Sequence, residues 1–102
     1  EGIEKTISEY ARVLKPGGRL VLYTTHPDNW ILKGATPLDD PNLFRLNQAH
    51  DYRHQETFFV FQSPEELDVY FSPFFSELYI GQNQIDMIDR LLRHFLLTGL
   101  KK

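Results

Sequence analysis

Apolar residues fall at Ile3, Ile7, Tyr10, Ala11 and Leu14, with Glu4, Lys5, Glu9 and Arg12 between them, the period of a helix with one buried stripe. Pro16 disfavours helical geometry at Lys15, and Gly17 and Gly18 can take the positive φ of a C-terminal cap, so the helix is expected to stop near Leu14 or Lys15. In the next segment, residues 19–25, Leu20, Val21, Leu22 and Tyr23 run without polar alternation. Such a strand seeks burial on both faces, as in the middle of a parallel sheet. Helix, tight glycine turn and apolar strand make the second half of a β-α-β unit, whose first strand would lie before residue 1.

Residues 26–56 are polar and turn-rich, with Pro27, Pro37 and Pro41, and carry a short helical pattern only around 43–48. A stretch of that length without a strong period reads as a long loop or lid. After a short apolar run at 57–61, Ser63 is placed as an N-cap. Pro64 follows at the first helical position, and Glu66 completes a capping box ahead of Leu67, Tyr70, Phe71 and Phe74. That helix is expected to end near Pro73. Residues 75–80 read as a strand closed by Gly81, Gln82, Asn83 and Gln84. In the tail, Ile85, Ile88, Leu91, Leu92, Phe95 and Leu96 fit a helix by period, while residues 93–100 fit a closing strand equally well. The aromatic residues Phe58, Phe59, Phe61, Tyr70, Phe71, Phe74 and Phe75 are expected to form core between the second helix and the sheet, or to floor an apolar pocket.

Composition narrows the functions. The 102 residues suit a single domain, here a partial one, and a net charge of −3 with both signs mixed leaves no basic stripe for nucleic acid and no cationic face for a membrane. The absence of cysteine excludes thiol chemistry and disulfides and agrees with a reducing, cytoplasmic setting. The first residue is Glu1 and not Met, so the chain is read as a piece of a longer protein.

The stretch SEYARVLKPGGRLVLYTT, residues 8–25, resembles the segment before and through the fifth strand of class I S-adenosylmethionine-dependent methyltransferases. Glu9, Arg12, Val13, Leu14, Lys15, Pro16, Gly17, Gly18 and Leu20 carry the match, and the order downstream is similar. The resemblance implies an α/β fold class, the C-terminal part of a Rossmann-like methyltransferase sheet. Its elements would be a helix, strand five at 19–25, a long loop, a helix, strand six at 75–80, and an antiparallel strand seven at about 93–100. It further implies S-adenosylmethionine as cofactor, bound mainly by an absent N-terminal half, and a small-molecule methyl acceptor as partner. No acidic-x-Gly-x-Gly turn after a strand is found here, and no cofactor-binding residue is assigned.

His26 follows the apolar strand directly, where ligands gather in open α/β sheets, and is the candidate catalytic residue, as a base for the acceptor's proton or as a shaper of the His-Pro corner. Tyr23, Thr25 and Trp30 are the candidate substrate-binding residues, with packing as the alternative for Tyr23 and Trp30. His50 and His54 have a metal-like spacing but lack a third ligand, and are read as a solvated loop. A second function class stays open: a binding or assembly module, a half-fold that dimerises or swaps through the exposed edge of the strand at 19–25.

Overall fold

A computed structural model of the chain describes residues 2–102. Helix α1 (Gly2–Arg12) leads into strand β1 (Arg19–Thr25) and a 3₁₀ turn at Trp30–Leu32. Short strands β2 (Thr36–Pro37), β3 (Leu43–Arg45) and β4 (Thr57–Phe59) follow, then helix α2 (Pro64–Phe71) and the long strands β5 (Phe75–Asp86) and β6 (Leu91–Lys101).

The strands form two three-stranded sheets, ordered β1-β6-β5 and β2-β3-β4, and every pair in them is antiparallel. The expected fold class, part of a Rossmann-like parallel sheet, is therefore corrected. The cause lies in the connections. β5 folds straight back into β6 as a hairpin, and hairpin neighbours must run antiparallel. β6 then fills the place beside β1, so β1 has no parallel partner among the described residues.

Burial on both faces of β1 is corrected as well. Leu20 and Leu22 lie beside Gly99 and Leu97 on the covered face, whereas Val21 and Tyr23 are 62% and 58% exposed on the other. Both helices pack on the covered face. Ile7 and Ala11 from α1 and Leu67 and Phe71 from α2 enclose Phe61, Phe75, Phe95 and Leu97. The aromatic residues thus divide: Phe61, Phe71 and Phe75 are buried, and Phe59, Tyr70 and Phe74 pack partly buried against them.

α1 ends earlier than its apolar period suggests. Gly17 adopts a φ of 82°, and a Cβ on Gly18 would stand 2.8 Å from the Lys15 carbonyl, so the Pro-Gly-Gly turn needs glycine at both positions. The turn is tied to the end of β6: Gly17 N–H donates to the Lys101 carbonyl at 2.8 Å, and Lys101 N–H to that of Gly18 at 2.8 Å. Lys101 Nζ donates to the carbonyls of Ala11 and Leu14, placing a cation on the exposed carbonyls at the end of α1.

Residues 26–56 contain the 3₁₀ turn and the short strands β2 and β3. The helical pattern at 43–48 gives way to β3, because the Leu43 and Phe44 backbones pair with Phe59 and Phe58. Ile31, Leu46 and Val60 are buried beneath this small sheet. Ser63 Oγ accepts from Glu66 N–H at 3.1 Å, as the capping box requires, but the Glu66 carboxylate reaches one residue further back, to Gln62 N–H at 2.8 Å. The same carboxylate oxygen accepts from Asn42 Nδ2 at 2.7 Å, and Asn42 Nδ2 also donates to the Val60 carbonyl at 3.0 Å. Buried Asn42 therefore locks the small sheet to the start of α2.

Asn42→Ala removes one of two donors to the Val60 carbonyl, which keeps Gln62 Nε2 at 3.1 Å, and one partner of Glu66, so urea denaturation is expected to show a loss of about 1 kcal/mol with an unchanged m-value. Arg45→Ala, on the exposed side of β3, is expected to stay within about 0.5 kcal/mol of the parent.

Candidate functional site

The corner after β1 is built by backbone groups seeking partners. His26 N–H donates to the Arg93 carbonyl at 3.1 Å, and Asn29 Nδ2 donates to the same carbonyl at 2.7 Å. Asn29 Oδ1 accepts from Ile31 N–H at 3.1 Å and so caps the 3₁₀ turn that carries Trp30. The start of β6 and the end of β1 are thereby fixed to one another through two buried polar residues, His26 and Asn29.

The His26 ring is only 9% exposed and lies 4.6 Å from the Phe95 ring, centroid to centroid. Its Nδ1 accepts from Asp28 N–H at 3.0 Å. That bond sets the tautomer. With the Nδ1 lone pair engaged, a neutral ring carries its proton on Nε2, and it offers a ligand an N–H and no free lone pair. Burial, reinforced by the Arg93 guanidinium and opposed by the Asp28 carboxylate, holds the His26 pKa below the ordinary imidazole value. Arg93 itself bridges the corner to the sheet: Nη1 donates to Asp28 Oδ2 at 3.0 Å, and Nε to Gln82 Oε1 at 3.0 Å.

The substrate-binding candidates separate into two places. Tyr23 and Thr25 share the bare outer face of the sheet, where Thr25 stands opposite His94. The Tyr23 ring lies 6.1 Å from that of His94, and its hydroxyl accepts from Asn83 Nδ2 at 3.5 Å. Trp30 is turned elsewhere. It lines a cavity of about 200 Å³ with Gln48, His50, Asp51 and Arg90, and a neighbouring one of about 460 Å³ with Arg53, Met87 and Leu92. A larger open groove, about 690 Å³, lies between the helices, walled by Val69, Tyr70, Pro73 and Phe74, far in the fold from His26.

His50 and His54 sit in turns and not on a helix, so their spacing does not place them on one helical face. No group of three or more metal-ligating side chains occurs among the described residues. Asn29, Arg93, Arg90 and Asp51 were not singled out from the sequence. The Pro-Asp-Asn turn hinted at Asn29, but the three charged residues gain their roles only through the hairpin and the loop that bring them to Trp30 and His26. No protein-family model, curated protein or solved structure matches the chain.

An asparagine at position 26 can accept from Asp28 N–H through its side-chain oxygen, as in an Asx turn, whereas alanine cannot. His26→Ala is accordingly expected to destabilise by about 1–3 kcal/mol, and His26→Asn to recover most of that loss, both read by urea denaturation.

His26 and His94 are both held below 6.5, in each case chiefly by burial. The unfolded chain therefore binds more protons than the folded one between the depressed values and 6.5. Stability is expected to be full above that ordinary value and to fall as the pH drops through the window beneath it. Melting temperatures between pH 7 and pH 5 should show this slope, and it should be shallower in His26→Asn.

Proposed function

We propose that this chain supplies the acceptor side of an S-adenosylmethionine-dependent methyltransferase acting on a small molecule, without activity on its own. The observation that carries the reading is the motif at 8–25, whose Pro-Gly-Gly turn delivers β1 and sets a buried imidazole directly at its carboxyl end.

The described residues do not fit the methyl donor. Gly17 and Gly18 precede a strand, their turn is filled by the Lys15 carbonyl and the end of β6, and no glycine turn opens a helix after a strand. The donor site is assigned to another segment, and no step is derived through it. What these residues do is hold and orient an acceptor. His26 Nε2–H would donate to the acceptor's polar atom, and the Asp28–Arg93 pair keeps the ring in place. Tyr23, Thr25 and Trp30 supply contact surface on either side of the corner. A cytoplasmic setting fits the lack of cysteine, and no helix among the described residues is long and apolar enough to cross a membrane.

The second reading, an assembly module, is favoured by a separate observation. β1 lies at the edge of its sheet, and the outer face beside it exposes Val21, Tyr23, Tyr79 and Ile85. An open edge next to uncovered apolar side chains favours pairing with another chain.

The test is transfer of labelled methyl from S-adenosylmethionine by the native polypeptide that contains these residues. His26→Asn is expected to lower turnover by about a hundredfold, the usual worth of one positioned donor, with donor affinity unchanged. Unaltered turnover would reduce His26 to a structural corner, and no transfer at all would remove the first reading. Light scattering on the chain alone tests the second: association is expected, and Tyr23→Lys should shift it toward monomer. A monodisperse monomer at high concentration would remove it.

A further inference from the structure

Around Trp30 the hydrogen-bonding groups do not balance. The Gln48 amide nitrogen is committed to the Trp30 and Lys33 carbonyls, at 3.1 Å each. The Asp51 carboxylate is bound on both oxygens by Arg53. Oδ1 accepts from the Arg53 backbone N–H at 2.8 Å and from Nε at 2.9 Å, and Oδ2 accepts from Nη2 at 3.1 Å. These bonds hold the Asp51 pKa at about 2, so its acceptors are charged at neutral pH and already in use.

One buried donor has no such partner. Trp30 Nε1–H is buried and has no partner among the described residues. A buried donor left without a partner is costly, and a suitable acceptor would recover that cost. Arg90 spends one nitrogen on Asp89, at 3.3 Å, and stacks its guanidinium over the indole at 4.2 Å from the ring centroid. His50 makes no side-chain hydrogen bond, and it lines the same cavity as Trp30 and Arg90.

A buried, unpartnered N–H beside a guanidinium selects an acceptor. A carboxylate matches a guanidinium in geometry, two oxygens against a planar fork, and can turn one oxygen to the indole N–H. The charges around the pocket, Arg53 and Arg90 against Asp51 and Asp89, are balanced. One more negative charge is tolerated there better than the two of a phosphate monoester. A cavity of about 200 Å³ is below the usual range for drug-sized ligands, so the guest is small.

We propose that the Trp30 cavity binds a small organic monocarboxylate, held by the Arg90 guanidinium and the Trp30 indole N–H. Arg90 also acts as the movable wall. It is set at the tip of the β5–β6 hairpin, its side chain is 43% exposed, and neighbouring Ile88 stands fully in solvent with a φ of 71°. The indole N–H is buried, so a ligand that reaches it must change the surroundings of Trp30. The inference deepens the proposed function by naming the acceptor's chemistry, and depends on it only for the ligand's being a substrate.

Trp30 is the only tryptophan in the chain, so its fluorescence reports on this site alone. Titration with benzoate is expected to give a saturable change, and titration with benzamide, the uncharged analogue, none. Arg90→Gln should weaken benzoate binding at least tenfold, the loss of one charge-assisted bidentate contact. Trp30→Phe, followed by calorimetry, should also weaken it. An equal response to benzamide, an unaffected Arg90→Gln variant, full affinity in Trp30→Phe, or inorganic phosphate saturating as well as benzoate would each overturn the proposal. Benzoate binding in a native polypeptide that transfers no methyl group would keep the pocket and remove the methyltransferase reading. Transfer without carboxylate binding would do the reverse.

Discussion

β6 is the strand on which the other elements rest. It pairs along its length with β1 on one side and β5 on the other, and its inward residues Phe95 and Leu97 form the floor on which both helices sit. Its glycine is part of that packing. A Cβ on Gly99 would stand 2.8 Å from a Leu78 methyl and 3.3 Å from Phe75 Cβ, so a larger residue there requires the Leu78 side chain to move and β5 to give slightly. Its two ends are bound as well, the Arg93 carbonyl by the His26 corner and Lys101 by the last carbonyls of α1. Elements separated by the whole length of the chain are joined through this one strand.

That dependence explains which parts of the fold could be read from the sequence. α1, β1 and α2 announce themselves locally, through an apolar stripe, a glycine turn and a Ser-Pro-Glu-Glu cap, and each forms where its own residues direct it. The tail could not be resolved in that way. Ile85, Leu92 and Leu96 satisfy a helical spacing, and only pairing with β1 and β5 converts the segment into strand. The error over β1 has the same origin: Leu20–Tyr23 is apolar on both sides, but whether both sides are covered depends on what packs there, and in this chain the helices cover only one. β3 was misread because its pairing with β4 lies in partners that are distant in sequence.

The candidate site repeats the division at the level of single groups. His26 was visible by its place after an apolar strand, but its chemistry was not. The Asp28 backbone N–H decides which ring nitrogen keeps a lone pair, and so turns an expected base into a donor. Tyr23 and Thr25 were grouped with Trp30 by proximity in sequence, yet strand alternation sends the first two to the outer face and the 3₁₀ turn takes the third beneath the hairpin tip. Spacing along the chain is a good guide to neighbours on one element and a poor one across a corner.

Two features of the molecule remain incomplete in different senses, and they can be separated. The outer face of β1 exposes Val21 and Tyr23, and its free edge has no strand partner among the described residues, features suited to a polypeptide surface more than to a small ligand. At the Trp30 cavity the unmet group is a single buried N–H, a deficit that one oxygen atom can meet. The residues involved barely overlap: Val21, Tyr23 and Tyr79 on the sheet, Trp30, Asp51 and Arg90 around the cavity. A substitution on the sheet face should therefore leave the cavity intact, because contacts without shared partners act independently. The unpartnered indole N–H belongs to the loop and the hairpin tip and does not depend on what happens at the edge of β1.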